Sequence, residues 1–193
     1  KTVTRRAIKH QPDVPVTDAI PRRDYPHGPA TVDWYWRPQH GHLNGVPRNG
    51  WDFKCPYGQP GDRLWVREAW AEIYVAQAPG EKWVVYRDCD NRTDYGGPWK
   101  PSIHMRRRDS RILLEITDVR VERLQAITYR EAIAEGVHSD VRKWFATDDG
   151  GPAFSIPEQA FQHLWSLING QESWDANPWV WVVEFKRVEE AHA

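Results

Sequence analysis

The sequence predicts an α+β fold: a small, mostly β barrel with two or three flanking helices and long loops rich in tryptophan and proline. Three observations carry that expectation. Several runs have strand length and strand patterning, and only two stretches hold a convincing helical period. The 15 Pro, 13 Gly and mean hydropathy of −0.75 leave much of the 193-residue chain outside regular buried structure. One core domain over residues 1–193 is expected, with insertions at about 10–60 and 71–109.

The first strand is Thr2 to Arg6, whose alternation puts Thr2, Thr4 and Arg6 on one face and Val3 on the other, with Lys1 at the entrance. From about His10 to Pro60, prolines at 12, 15, 21, 26, 29, 38, 47, 56 and 60 forbid long helices and central strands. Asp33-Trp34-Tyr35-Trp36 and Trp51-Asp52-Phe53 supply anchors there, so the stretch is expected to be a loop insertion pinned to the body. Gly61 to Trp70 is a turn feeding a strand with Leu64 and Val66 inward, and Lys82 to Tyr86 is a second strand. Gly96-Gly97-Pro98 breaks the chain before a long strand over Arg111 to Val121.

The period then changes. Thr128 and Glu131 form a capping box for a short helix that ends at Gly136, a natural left-handed terminator. Glu135 therefore lies in the last turn, where the helix dipole disfavours an anion by about 0.3–1 kcal/mol. A carboxylate so placed invites a reason: alone it reads as a solvated surface residue, and a need of Lys1 and Thr4 for a third partner would give it another role. Ser155 and Glu158 repeat the box. Phe161, Leu164, Trp165 and Ile168 then follow at helical spacing and give an amphipathic helix stopped by Gly170. Pro178 to Lys186 closes the chain as a strand, buried either through Val180 and Val182 or through its Trp pair and Phe185.

Composition narrows the function. Lys and Arg number 26 against 27 Asp and Glu, a balance that argues against a protein gripping nucleic acid mainly through an excess of base. Arg106-Arg107-Arg108 beside His104 reads first as a solvated face. The 12 Trp outnumber the 5 Phe and suit core edges, loop anchors and flat ligands that stack. Cys55 and Cys89 make no disulfide framework, and no apolar run is long enough for a membrane helix or signal peptide, so a cytoplasmic location is expected. A metal site would draw on His40, His42, Cys55, Cys89 or His104; no Cys-x-x-Cys or His-x-x-x-His supports one, and no metal or cofactor is expected. The start at Lys1 without methionine suggests further residues upstream.

The densest chemistry lies in Lys1-Thr2-Val3-Thr4-Arg5-Arg6, which sets an amine, hydroxyls and guanidinium groups in one short stretch. With it come Gly-Asp-x-Leu-x-Val at 61–66, the strand and short helix over 110–136, and Val-Val-Glu-Phe-Lys at 182–186. In this order the chain resembles the ASCH domains, a branch of the PUA-like barrels, and among them phage-encoded members with Trp-rich insertions. The likeness covers well under half the chain. It implies a hydrolase that removes an acyl group from an N-acylated nucleobase or nucleoside of the N4-acetylcytidine kind.

Carried over by the resemblance, Lys1, Thr4 and Glu135 are the catalytic residues. Thr4 would be the nucleophile, a desolvated Lys1 its base, and Glu135 the group that orients Lys1 or protonates the leaving amine. Arg6 matches the arginine of the opening motif and would help hold the oxyanion. Arg67, Trp70 and His104 are the further substrate-binding residues expected, with Trp70 stacking the base in a pocket walled by tryptophan. The partner implied is a modified nucleoside or single-stranded RNA. The same likeness leaves two alternatives open: a reader of RNA or modified bases that does no chemistry, and an ASCH-type ribonuclease. The long insertions depart from the minimal enzymes.

Overall fold

The computed structural model of the protein describes residues 1–9, 11–12, 16–21, 34–38, 52–74, 80–89, 98–148 and 151–188. His10, Asp33, His40, His42, Trp51 and Gly96-Gly97 lie outside the described residues. The described fold is mixed α+β, with antiparallel sheets and three short to medium α-helices. The chain divides into two compact units, residues 1–61 with 116–185, and residues 62–115 with 186–193.

In the first unit, β1 (Val3–Ala7) pairs antiparallel with β11 (Trp179–Val188), which in turn neighbours β8 (Leu113–Arg123). Thr4 stands opposite Val183, Arg5 opposite Val182 and Arg6 opposite Trp181. Because side chains alternate across a sheet, Val3, Arg5, Val180 and Val182 share one face. That face packs on Leu124, Ala132, Phe161 and Trp165 to form the core.

The other face of β11 is buried as well. Trp181 meets Trp34 edge-on at 5.5 Å and Phe53 at 5.3 Å, while Trp36 stacks on Phe53 at 4.4 Å and touches Trp179 at 5.4 Å. These partners come from β3 (Trp34–Pro38) and β4 (Asp52–Phe53), which form an antiparallel sheet with β2 (Val16–Pro21). The sequence left β11 a choice of buried face; the tryptophans of the proline-rich stretch cover the second one, so both are used. Each such aromatic pair is worth about 0.5–1.5 kcal/mol beyond its buried area.

Helix α1 (Tyr129–Ala134) begins at Thr128, whose backbone N–H and hydroxyl donate to the Glu131 carboxylate at 2.8 and 2.7 Å. It ends through Gly136, which takes a φ of 104° that a side chain would resist. Thr128→Ala removes this start and is expected to cost about 0.5–2 kcal/mol in urea denaturation. Helix α2 (Pro157–Asn169) starts differently from the sequence expectation. Ile156 is its N-cap and no side chain caps it, so Ser155 builds no capping box. Pro157 opens the first turn instead, where its missing N–H costs nothing.

Phe161 and Trp165 of α2 face the core as expected, joined by Ala160, while Leu164 is half-buried and Ile168 is exposed. The core stripe stops about a turn before Gly170 leads the chain into α3 (Gln171–Asp175). Between α1 and α2 lies the hairpin of β9 (His138–Asp140) and β10 (Lys143–Phe145).

In the second unit, β5 (Arg63–Trp65) pairs with the opening residues of β8, Arg63 opposite Glu115 and Trp65 opposite Leu113. β6 (Trp70–Tyr74) and β7 (Lys82–Tyr86) form an antiparallel hairpin. The single strand expected from Gly61 to Trp70 is thus two. A buried carboxylate must be paired, and Glu68 turns to meet Arg111 at 2.6 and 3.0 Å. Trp70 therefore opens β6. No described helix is long and apolar enough to cross a membrane.

Candidate active site

Two backbone bonds fix the start of β1 against the end of α1. The Thr2 N–H donates to the Ala134 carbonyl at 2.9 Å, and the Phe185 N–H donates to the Thr2 carbonyl at 2.9 Å. Lys1 is thereby laid across Gly136, where an added Cβ would sit 3.6 Å from Lys1 Cβ. Glu135, the C-cap of α1, then meets the amine: Glu135 Oε2 lies 3.1 Å from Lys1 Nζ. The Lys1 side chain is 48% exposed and that of Glu135 only 3%. The misplaced anion of the last helical turn has its cationic partner.

The other oxygen, Glu135 Oε1, faces Arg5 Nη1 at 3.5 Å. Arg5 has no exposed side-chain surface; its Nη2 reaches Glu131 at 3.2 Å and Glu122 at 3.5 Å, and its guanidinium lies 5.9 Å from the Phe161 ring centroid. At these distances Glu135 Oε1 and Arg5 Nε and Nη1 make no hydrogen bond among the described residues. Arg120 extends the network. It bonds Glu122 at 2.5 Å and also pairs with Asp118, Glu131 and Glu184. Five carboxylates therefore share Lys1, Arg5 and Arg120, an excess of two negative charges.

The environment drives two of these carboxylates apart. Burial pushes Glu135 above the usual carboxylate range, and Lys1 and Arg5 draw it only part of the way back. Glu131 also pays for burial, but the Thr128 N–H and hydroxyl, with Arg5 and Arg120, outweigh that and hold it below the usual range. The Glu135 carboxyl is thereby the more readily protonated of the two and that of Glu131 the more readily ionised.

Lys1 and Glu135 are thus together, but Thr4 is not with them. It shares with Arg6 the face of β1 opposite to Val3 and Arg5, and no hydrogen bond joins its hydroxyl to Lys1 or Glu135 among the described residues. The desolvated Lys1 of the acyl-threonine scheme is also absent, since half of its side chain meets solvent. Arg6 is exposed on the outer face; the guanidinium against Glu135 is that of Arg5, which the motif left unassigned. The signal for Arg5 lay in the alternation, which aligns it with Val3 on the apolar face.

Arg67, Trp70 and His104 belong to the second unit. Arg67 is exposed, lies 4.6 Å over the Trp65 ring and donates to the Ile103 carbonyl at 3.3 Å. His104 is exposed at the end of a short 3₁₀ turn. Trp70 does not offer the stacking surface expected of it: it is 3% exposed, and Lys100 and Arg106 lie over its ring at 4.6 and 5.5 Å.

No cluster of three His, Cys, Asp or Glu suited to a metal occurs among the described residues. A groove of about 380 Å³ runs beside α2, lined by Phe154, Gln159, Gln162, His163, Ser166 and Gln171; it has no tryptophan wall and includes neither Lys1 nor Glu135. Comparison with protein-family models, curated proteins and solved structures returns no match to the chain.

Proposed function

We propose that the protein hydrolyses the amide of an N-acylated nucleobase or nucleoside, of the N4-acetylcytidine kind, on an ASCH-type, PUA-like barrel with Lys1 and Glu135 at the reacting centre. The observation that carries this reading is a carboxylate withdrawn from water with one oxygen 3.1 Å from a half-exposed amine. The pair joins two of the stretches on which the ASCH likeness rests, 1–6 and 110–136.

The geometry favours water over Thr4 as the nucleophile, because Thr4 faces the other side of β1. Glu135, made more basic by burial, takes a proton from water as its oxygen adds to the acyl carbon. The Lys1 ammonium holds the oxyanion that forms. Collapse breaks the C–N bond, and Glu135 returns the proton to the departing exocyclic nitrogen. A carboxylic acid and the free amine result. Arg5, pinned between Glu131 and Glu122, keeps the second oxygen of Glu135 turned inward and is a positioning residue.

Incubation with N4-acetylcytidine, following acetate and cytidine, tests the proposal. Wild type is expected to turn over. Glu135→Gln and Lys1→Met should each lose at least about 100-fold in kcat/KM, while Thr4→Ala stays within a few-fold. Loss of turnover in Thr4→Ala would establish an acyl-threonine route instead. A wild type inert towards N-acylated nucleosides would end the hydrolase reading.

A further inference from the structure

We infer that the second unit carries a binding surface for single-stranded nucleic acid on one face of the β6–β7 hairpin. The alternation of β6 puts Trp70, Glu72 and Tyr74 on that face, joined across the strands by Tyr86, Val84 and Lys82. On the other edge of β6, Lys100 is bridged to Trp70 and so stands on the same face. Trp70 is the floor. Lys100 lies over its ring at 4.6 Å and Arg106 at 5.5 Å, and Glu72 clamps the two at 3.0 and 2.7 Å. Towards the end of the strand Tyr74 is 70% exposed, with Lys82 over its ring at 5.2 Å.

Arg107 and Arg108 follow Arg106 directly and are exposed. Three cations, Lys82, Lys100 and Arg106, border this face with two carboxylates, Glu72 and Asp109, and the exposed Arg107 and Arg108 continue the run from Arg106, on a chain whose overall charge is −1. The concentration is local and not a consequence of composition. The pairing of an open aromatic ring with flanking cations selects the ligand. An unpaired base can stack on Tyr74 while the adjoining phosphates meet the lysines and arginines. A duplex keeps its bases stacked inside and can offer this face only its phosphates. Apart from Trp70, the residues of this surface fall within 71–109, the insertion that sets this chain apart from the minimal ASCH enzymes. It also stands independently of the hydrolytic reading, because an unmodified strand carries no acyl group.

Fluorescence anisotropy of the full chain with a labelled, unmodified oligouridylate of about 12 nucleotides, and with a duplex of the same length, tests the inference. The single strand is expected to bind more tightly than the duplex. Its log K should fall with log salt at a slope of about −2 to −3, the value for three or four phosphates. Tyr74→Ala should weaken the single strand by roughly tenfold. Arg107→Glu with Arg108→Glu should weaken both ligands and flatten the slope by about 1 or more. All three positions are exposed, and circular dichroism checks that the variants fold. Absence of binding to the single strand at about 50 mM salt would overturn the inference. So would duplex binding of equal strength that Tyr74→Ala leaves unchanged, since the face would then be a general polyanion surface.

Discussion

Arg5→Met is expected to lower the unfolding free energy by about 3–5 kcal/mol in urea denaturation, the cost of removing one partner from a buried ionic cluster. The size follows from what the substitution leaves behind. Arg5 has no exposed side-chain surface and faces Glu122, Glu131 and Glu135. A methionine fills much of the volume but strands Glu135, whose side chain is 3% exposed, with Lys1 alone. Arg5→Lys should recover only part of the loss, because a point ammonium cannot span three carboxylates as a planar guanidinium does. Combining Arg5→Met with Glu135→Gln should be less destabilising than the sum of the two, since the second change removes the charge that the first left unpaired. A cost for Arg5→Met below about 1 kcal/mol, the range of solvated surface pairs, would show that water screens these carboxylates after all.

Glu135→Gln is expected to have the second large effect, and it separates stability from chemistry. Burial raises Glu135 above its ordinary value of 4.5 in the folded state. A carboxyl so raised binds protons more readily folded than unfolded. Its contribution to stability is full below the unfolded value and is lost as pH climbs through the folded one. The glutamine variant should therefore gain on wild type as pH rises across that window. Glu131 has the opposite sign: held below its ordinary value, it stabilises the fold above that value, and the contribution disappears as pH falls through the lowered one. Acid unfolding should thus survive in Glu135→Gln, while turnover should not.

Much of the fold was legible because its signals are local. Glu131 after Thr128 and Gly136 at positive φ bound α1 as the capping rules require, and Lys82–Tyr86 is a strand as its composition indicates. Signals that depend on distant partners were harder to read. Gly61 to Trp70 looks continuous in sequence, but Glu68 needs Arg111, 43 residues on, and the strand gives way to that pair. The placement of Ser155 and Glu158 fits a cap, yet Pro157 takes the first turn. Glu135 is marked by its place at the end of a helix that disfavours an anion. Arg5 is marked only by the two-residue period, which aligns it with Val3 and turns Thr4 away; the opening motif carries no sign of it. The burial of Trp70 depends on Lys100 and Arg106, which no local pattern joins to it.

Acetate release from N4-acetylcytidine, measured across pH for wild type and Glu135→Gln, decides whether the Lys1–Glu135 pair is a reacting centre. Wild-type kcat/KM should rise with pH through an apparent pKa above 4.5 as the Glu135 base is freed. In Glu135→Gln that limb should vanish and the rate fall by at least about 100-fold. A glutamine variant that keeps both the rate and the pH profile of wild type would contradict it.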